Sequence, residues 1–211
     1  MNKNTNNLNK ISYFNIIIPS LFFIAIFYFC LLSYLEQQNY KIMQTKMSMV
    51  EVIYPEEKPF MSQENIDLAM SLFSIDKNEN TNSPILLADL NFRGLTVGES
   101  FVLNREVYIG NMAFDSWGIL GSTLAHEIEI HSNQSFLKIE VFNYIDTLRR
   151  IPAKLFAKSK HNKKKMSEDI MIGTYLAEKE AYEYEIKLKD RFNLTRDEVK
   201  SIKYTLDNDL N

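Results

Sequence analysis

All three histidines fall in the C-terminal half, and two of them lie in Leu124-Ala125-His126-Glu127-Ile128-Glu129-Ile130-His131. Imidazole nitrogens and carboxylates this close together form a donor set for a transition-metal ion. A glutamate directly after a ligand histidine is placed to act as a general base toward water. On a helix, that chemistry needs both imidazoles on one side. A spacing of four residues turns the chain by about 40° and keeps them together, whereas five residues turn it by about 140° and part them. A π-bulge, which adds one residue to a single turn, restores the shared face. In a regular helix Glu127 would instead face His131, and His126 would face Glu129, each pair a half-site at best. The single cysteine, Cys30, sits in an apolar run, so thiol chemistry and cysteine-ligated zinc are excluded. No G-x-S-x-G elbow, P-loop or dinucleotide fingerprint occurs, which leaves serine hydrolases, nucleotide hydrolases and Rossmann enzymes without support.

Leu-Ala-His-Glu-x-x-x-His, with Gln134 three residues beyond the second histidine, resembles the zinc-binding helix of gluzincin-type metallopeptidases in a form one residue longer. In that family a later helix supplies a third ligand, a glutamate, often in a Glu-x-x-Ala or Glu-x-Glu-Ala-Asp setting. Here Ala177-Glu178-Lys179-Glu180-Ala181-Tyr182-Glu183-Tyr184-Glu185 follows. The resemblance implies zinc held by His126, His131 and Glu178, with Glu180 as the second choice for the third ligand. It implies Glu127 as the catalytic base on a peptide or protein substrate, and it sets Tyr182 where the family often has Asp. It also places Val107-Tyr108-Ile109-Gly110 like the edge strand along which such enzymes align an extended substrate. An oxyanion stabiliser is expected too, with Tyr175, Tyr182, Tyr184 and the segment around His161 all near enough in sequence. The bland alternative is a solvated amphipathic helix, or a degenerate, non-catalytic zincin-like domain that only binds.

The elements that must position these residues are readable in outline. Ser62 caps a helix to about Ile75, in which Ile66, Ala69, Met70 and Phe73 recur at helical spacing. Short β-type runs follow at Ile85–Leu90, Phe101–Asn104 and Val107–Ile109, broken by Gly94, Gly98 and Gly110. Helical patterns then cover about Trp117–Gln134, buried on one side, Ile139–Ala157, Ser167–Phe192 and Thr195–Asp209. The last opens with a capping box, Thr195 and Glu198. Within the third, Glu178, Ala181, Tyr182 and Glu185 share a face, and Ser132–Ala177 is long enough for one helix out and one back. Phe114 and Trp117 are expected in the core. The order, strands first and helices after, predicts an α+β fold, zincin-like by the resemblance.

Ahead of this domain, Phe14–Leu35 runs 22 residues without a charge, about 33 Å of helix and enough to cross a hydrocarbon core. The predicted organisation is a disordered tail over 1–13, a transmembrane anchor over 14–35, a linker over 36–61 and a compact domain over 62–211. Lys3 and Lys10 before the run, against Lys41 and Lys46 after it, tilt the expectation toward a cytoplasmic amino terminus with the domain outside. A net charge of −3 argues against a nucleic-acid partner. Lys158–Lys165 carries five lysines and His161, and is expected to be a solvated loop or a contact to anionic membrane lipid.

Overall fold

The computed structural model describes residues 5–47, 57–99, 104–156 and 170–209. Helix α1, Thr5–Met47, contains Ile17–Gln38, a stretch long and apolar enough to be a membrane span or a signal sequence. The expected linker begins inside this helix, and residues 48–56 lie outside the described set. Attachment to the domain is made before Ser62: the Trp117 indole donates to the Glu57 carbonyl at 2.6 Å, and Lys58 pairs with Asp115 at 3.1 Å.

Helix α2, Gln63–Leu72, starts where its cap predicts, the Ser62 hydroxyl accepting from the Asn65 amide. Three short strands follow: β1, Ile85–Leu86; β2, Gly94–Gly98; and β3, Arg105–Ile109. Their order in the sheet is β1-β3-β2, with β1 parallel and β2 antiparallel to β3. Two expectations change here. The run Ile85–Leu90 forms a strand only at its first two residues, because the chain turns at Leu87, whose carbonyl accepts from the Leu90 amide. Val107–Ile109 lies in the central strand, not at an edge. Tyr108 and Ile109 pair with Ile85 and Leu86 on one side and with Leu95 and Gly94 on the other, so this backbone has no face left for a substrate. The edges are β1 and β2, and Gly94 and Gly98, expected as breaks, are the two end residues of β2. Of the second predicted run, Phe101–Asn104, residues 101–103 fall outside the described residues.

A 3₁₀ turn at Asn111–Asp115 leads into α3, Trp117–Ala125. This helix is buried all round rather than on one side. Its small residues explain the difference: Gly121 lies against the Phe73 ring and Gly118 against the Phe192 carbonyl, so neighbours close over a second face. Phe114 and Trp117 join the core with Ile66, Phe73, Leu120, Leu124 and Ile128. The chain continues without a break through His126–Asn133 and then forms α4, Phe136–Phe156, three residues earlier than predicted because the Ser135 hydroxyl caps the Lys138 amide. Helix α5, Ile172–Lys187, returns against α4, and α6, Arg196–Tyr204, opens with the predicted capping box. The five-lysine segment lies outside the described residues. The architecture is mixed: helices around one small three-stranded sheet, preceded by one apolar helix.

Candidate metal centre

From His126 the helix widens to a π-turn, His126–Ile130, and then tightens to a 3₁₀ turn, His131–Asn133. The His131 amide donates to the His126 and Glu127 carbonyls. The carbonyls this turn loosens find side-chain partners: Ser132 Oγ donates to the Ile128 carbonyl, and Asn133 Nδ2 to the Glu129 carbonyl at 3.0 Å. The extra residue absorbs the angular offset of a five-residue spacing. His126 and His131 consequently face each other, Nε2 to Nε2, at 3.0 Å.

Helix α5 brings Glu178 to the same point. Its Oε2 lies 3.5 Å from His126 Nε2 and its Oε1 3.4 Å from His131 Nε2. A tetrahedral zinc ion with bonds near 2.0–2.1 Å separates its ligand atoms by about 3.3 Å, close to these distances. Glu180, the alternative third ligand, points elsewhere and accepts from Gln134 Nε2 at 2.9 Å.

The opposite ring nitrogens decide which tautomers are present. His126 Nδ1 sits 2.7 Å from Glu185 Oε1, so it carries the proton. His131 Nδ1 sits 2.8 Å from Gln134 Oε1. That oxygen is the acceptor because Gln134 Nε2 already donates to Glu180 and to the Ala177 carbonyl. Both Nε2 lone pairs are thereby aimed at each other and at a carboxylate, an arrangement that a cation between them would satisfy. Without a metal, a proton takes that place. Burial alone would lower the His126 pKa, but hydrogen bonds to Glu178 and Glu185 and the charges of Glu185 and Glu127 raise it to about 10. His131 is also raised, Glu178 outweighing burial. Against its own burial, Glu178 is held well below the usual carboxylate range by the two imidazoles.

Support extends outward from each of these side chains. Glu185, wholly buried, also binds the Arg93 guanidinium, whose charge overcomes burial and takes the Glu185 pKa down to about 2. Arg93 in turn donates to Thr123 Oγ1 at 2.9 Å. Glu127 reaches toward β2, where Thr96 Oγ1 donates to its Oε2 at 2.7 Å. Gly94 makes room for it: a Cβ there would lie 2.7 Å from Glu127 Cγ and Oε1. The Tyr182 ring meets His126 edge-on at 4.8 Å. Burial, with carboxylates nearby and against the pull of Arg93, raises the Tyr182 pKa far enough to keep its hydroxyl protonated. Tyr184, by contrast, is buried and donates to Glu129, which also takes two bonds from Arg191. Glu129 therefore braces the helix and is not part of the donor set.

A cleft of about 640 Å³ opens over these groups. Its walls include Gly94, Leu95 and Thr96 on one side and Phe136, Ile139 and Thr174 on the other, with His126, Glu127, His131, Glu178 and Tyr182 among its lining residues. Sequence reasoning missed Arg93 and Thr96, and it assigned no roles to Glu185 and Gln134. Glu185 had a signal, since it lies two helical turns beyond Glu178 on the same face. Arg93 and Thr96 had none, because only folding brings β2 to the π-turn. No protein-family model, curated protein or solved structure matches this chain, so its function must be argued from this geometry.

Proposed function

We propose that the chain is a membrane-anchored, zinc-dependent metallopeptidase with a zincin-like domain, in which His126, His131 and Glu178 hold zinc and Glu127 is the general base. The observation that carries this reading is the π-turn, which makes a five-residue histidine spacing converge with Glu178 at tetrahedral ligand distances. When bound, zinc supplies a Lewis acid that polarises a carbonyl and makes water more acidic. Glu127, held by Thr96 beside the ligands, takes a proton from the attacking water and passes it to the leaving amine. Tyr182 is the one tyrosine lining the cleft among Tyr175, Tyr182 and Tyr184, and its protonated hydroxyl is one donor for a developing oxyanion, beside the Arg93 guanidinium that also lines the cleft. The substrate aligns as an extended strand along β2, the sheet edge at the cleft, in place of the central β3. Helix α1 anchors the domain, with the amino terminus in the cytoplasm.

The test is metal content of the full chain, purified in detergent without chelator. We expect near one zinc per chain, lost in His131→Ala and in Glu178→Ala. Glu127→Gln keeps the zinc and loses hydrolysis of peptide libraries by about 10²–10⁴-fold. A folded protein that takes up no zinc refutes the reading, as does stoichiometric zinc in both ligand variants.

A further inference from the structure

Helix α4 carries its apolar stripe on the wrong side for a soluble protein. At 100° per residue, Leu137, Val141, Tyr144, Ile145 and Leu148 fall within about 100° of arc, with no charge among them. An amphipathic helix normally turns such a stripe to the core. Here Tyr144, Ile145 and Leu148 are 65%, 38% and 46% exposed. The inward side is made of other residues: Asn143 exchanges hydrogen bonds with Thr174, and Gly173 of α5 lies against the Ile139 carbonyl.

What lies beside this stripe is α1. Glu36 accepts from the Ser135 amide at 3.2 Å and pairs with Lys138 at 3.1 Å, and the Phe29 and Phe142 rings meet edge-on at 6.1 Å. The α1 partner drops from 36 to 29 as the α4 partner rises from 135 to 142, so the two helices run antiparallel. Phe29 is nine residues, about 14 Å, inside the Gln38 end of the apolar stretch Ile17–Gln38. If α1 spans a bilayer, Phe142 and the stripe next to it stand at leaflet depth. Leu31, Tyr34 and Leu35 of α1 are exposed at the same level. Met171, Ile172 and Leu176, at the start of the helix packed on α4, are exposed as well.

We propose that bilayer lipid covers the outward stripe of α4, so that this helix is seated in the leaflet beside the anchor. Among the described residues only α1 is apolar enough to cross a membrane, so α4 is no second span: it dips in alongside α1 with only its outward stripe facing lipid. Its first turns also contribute Phe136, Ile139 and Glu140 to the cleft, which sets the mouth of the site at the membrane boundary. The inference rests on α1 being a membrane anchor and is independent of whether the site binds zinc.

The test uses the full chain with Cys30→Ser, spin-labelled at one introduced cysteine and reconstituted in phosphatidylcholine vesicles doped with phosphatidylglycerol. The labelled variants are Tyr144→Cys and Leu148→Cys, with Phe23→Cys reporting the anchor and Lys200→Cys reporting water. Collision with oxygen marks lipid, and collision with a water-soluble nickel complex marks solvent. We expect the oxygen-to-nickel ratio at both α4 positions to shift from the Lys200 value toward the Phe23 value. Ratios matching Lys200 while Phe23 reads as lipid overturn the inference and spare the anchor. Protection from both reagents also overturns it, because protein then covers the stripe. A Phe23 label that itself reads as water refutes the anchor and the inference together.

Discussion

Zinc binding to this site should be a proton exchange, and the size of the exchange follows from the groups around His126. In the metal-free protein at neutral pH, Glu178 and Glu185 hold a proton on His126, whose pKa is raised to about 10. Zinc needs the Nε2 lone pair and must displace that proton. At pH 7 this lies three units below the pKa, a cost of about 4 kcal/mol at 1.36 kcal/mol per unit. The apparent zinc affinity should therefore rise about tenfold per pH unit through neutrality, and more steeply where His131 is also protonated. Calorimetry in buffers of different ionisation enthalpy should count between about one and two protons released per zinc bound. The linkage sign runs the other way for the metal-free fold. A raised histidine pKa contributes stability that is complete below the unfolded value near 6.5 and is lost as pH rises through about 10. The zinc-loaded protein should lack that alkaline loss. Glu178, depressed, contributes stability present above its ordinary value and lost in strong acid. Zinc binding with no proton release and an affinity flat in pH would refute the assignment of His126 as a ligand.

Other perturbations separate the roles of the surrounding groups. Glu185→Gln keeps the shape beside His126 but removes the charge that fixes its tautomer; we expect zinc affinity to fall about 10–100-fold in a chelator competition, with Glu178 and His131 untouched. Gly94→Ala puts a methyl 2.7 Å from Glu127, against an ordinary contact of 3.4 Å or more. The carboxylate must withdraw, so hydrolysis should drop by up to about 10²-fold with zinc content unchanged. Glu129→Ala removes a buried carboxylate bound twice by Arg191 and once by Tyr184, and should cost about 3–5 kcal/mol in denaturant unfolding. Its unfolding midpoint should shift whether or not zinc is present, which marks Glu129 as structural.

The parts of the site carried by helices were legible because helical geometry is arithmetic. Five residues at 100° each cannot converge, so the sequence itself posed the question that the π-turn at His126–Ile130 answers. The shared face of Glu178, Tyr182 and Glu185 followed from the same periodicity. The sheet was not legible in this way. Strand order cannot be read from sequence order, so nothing local said that β3 would be central and β2 an edge. Gly94 and Gly98 looked like punctuation because glycine is a poor strand former. One of them is glycine for a tertiary reason, the approach of Glu127.

A widened turn is poorer in backbone geometry than the helix it interrupts, and it persists where its surroundings over-determine it. Here the determination comes from both ends. Ser132 and Asn133 satisfy the carbonyls that the turn loosens, which fixes the exit. Glu185 on His126 and Gln134 on His131 fix the two rings from outside, and both are tied in turn to α5 or Arg93. Glu127, next to His126 in the chain, is fixed by Thr96 from the sheet edge. A regular helix through the same residues would turn His131 away from Glu178 and leave Gln134 without its ring partner. The side chains that hold the π-turn are thus the ones that aim the donors, and an extra residue between the histidines costs the site nothing in convergence. It also explains why a motif of unusual length need not be a relic: the register lost in the sequence is restored within one turn.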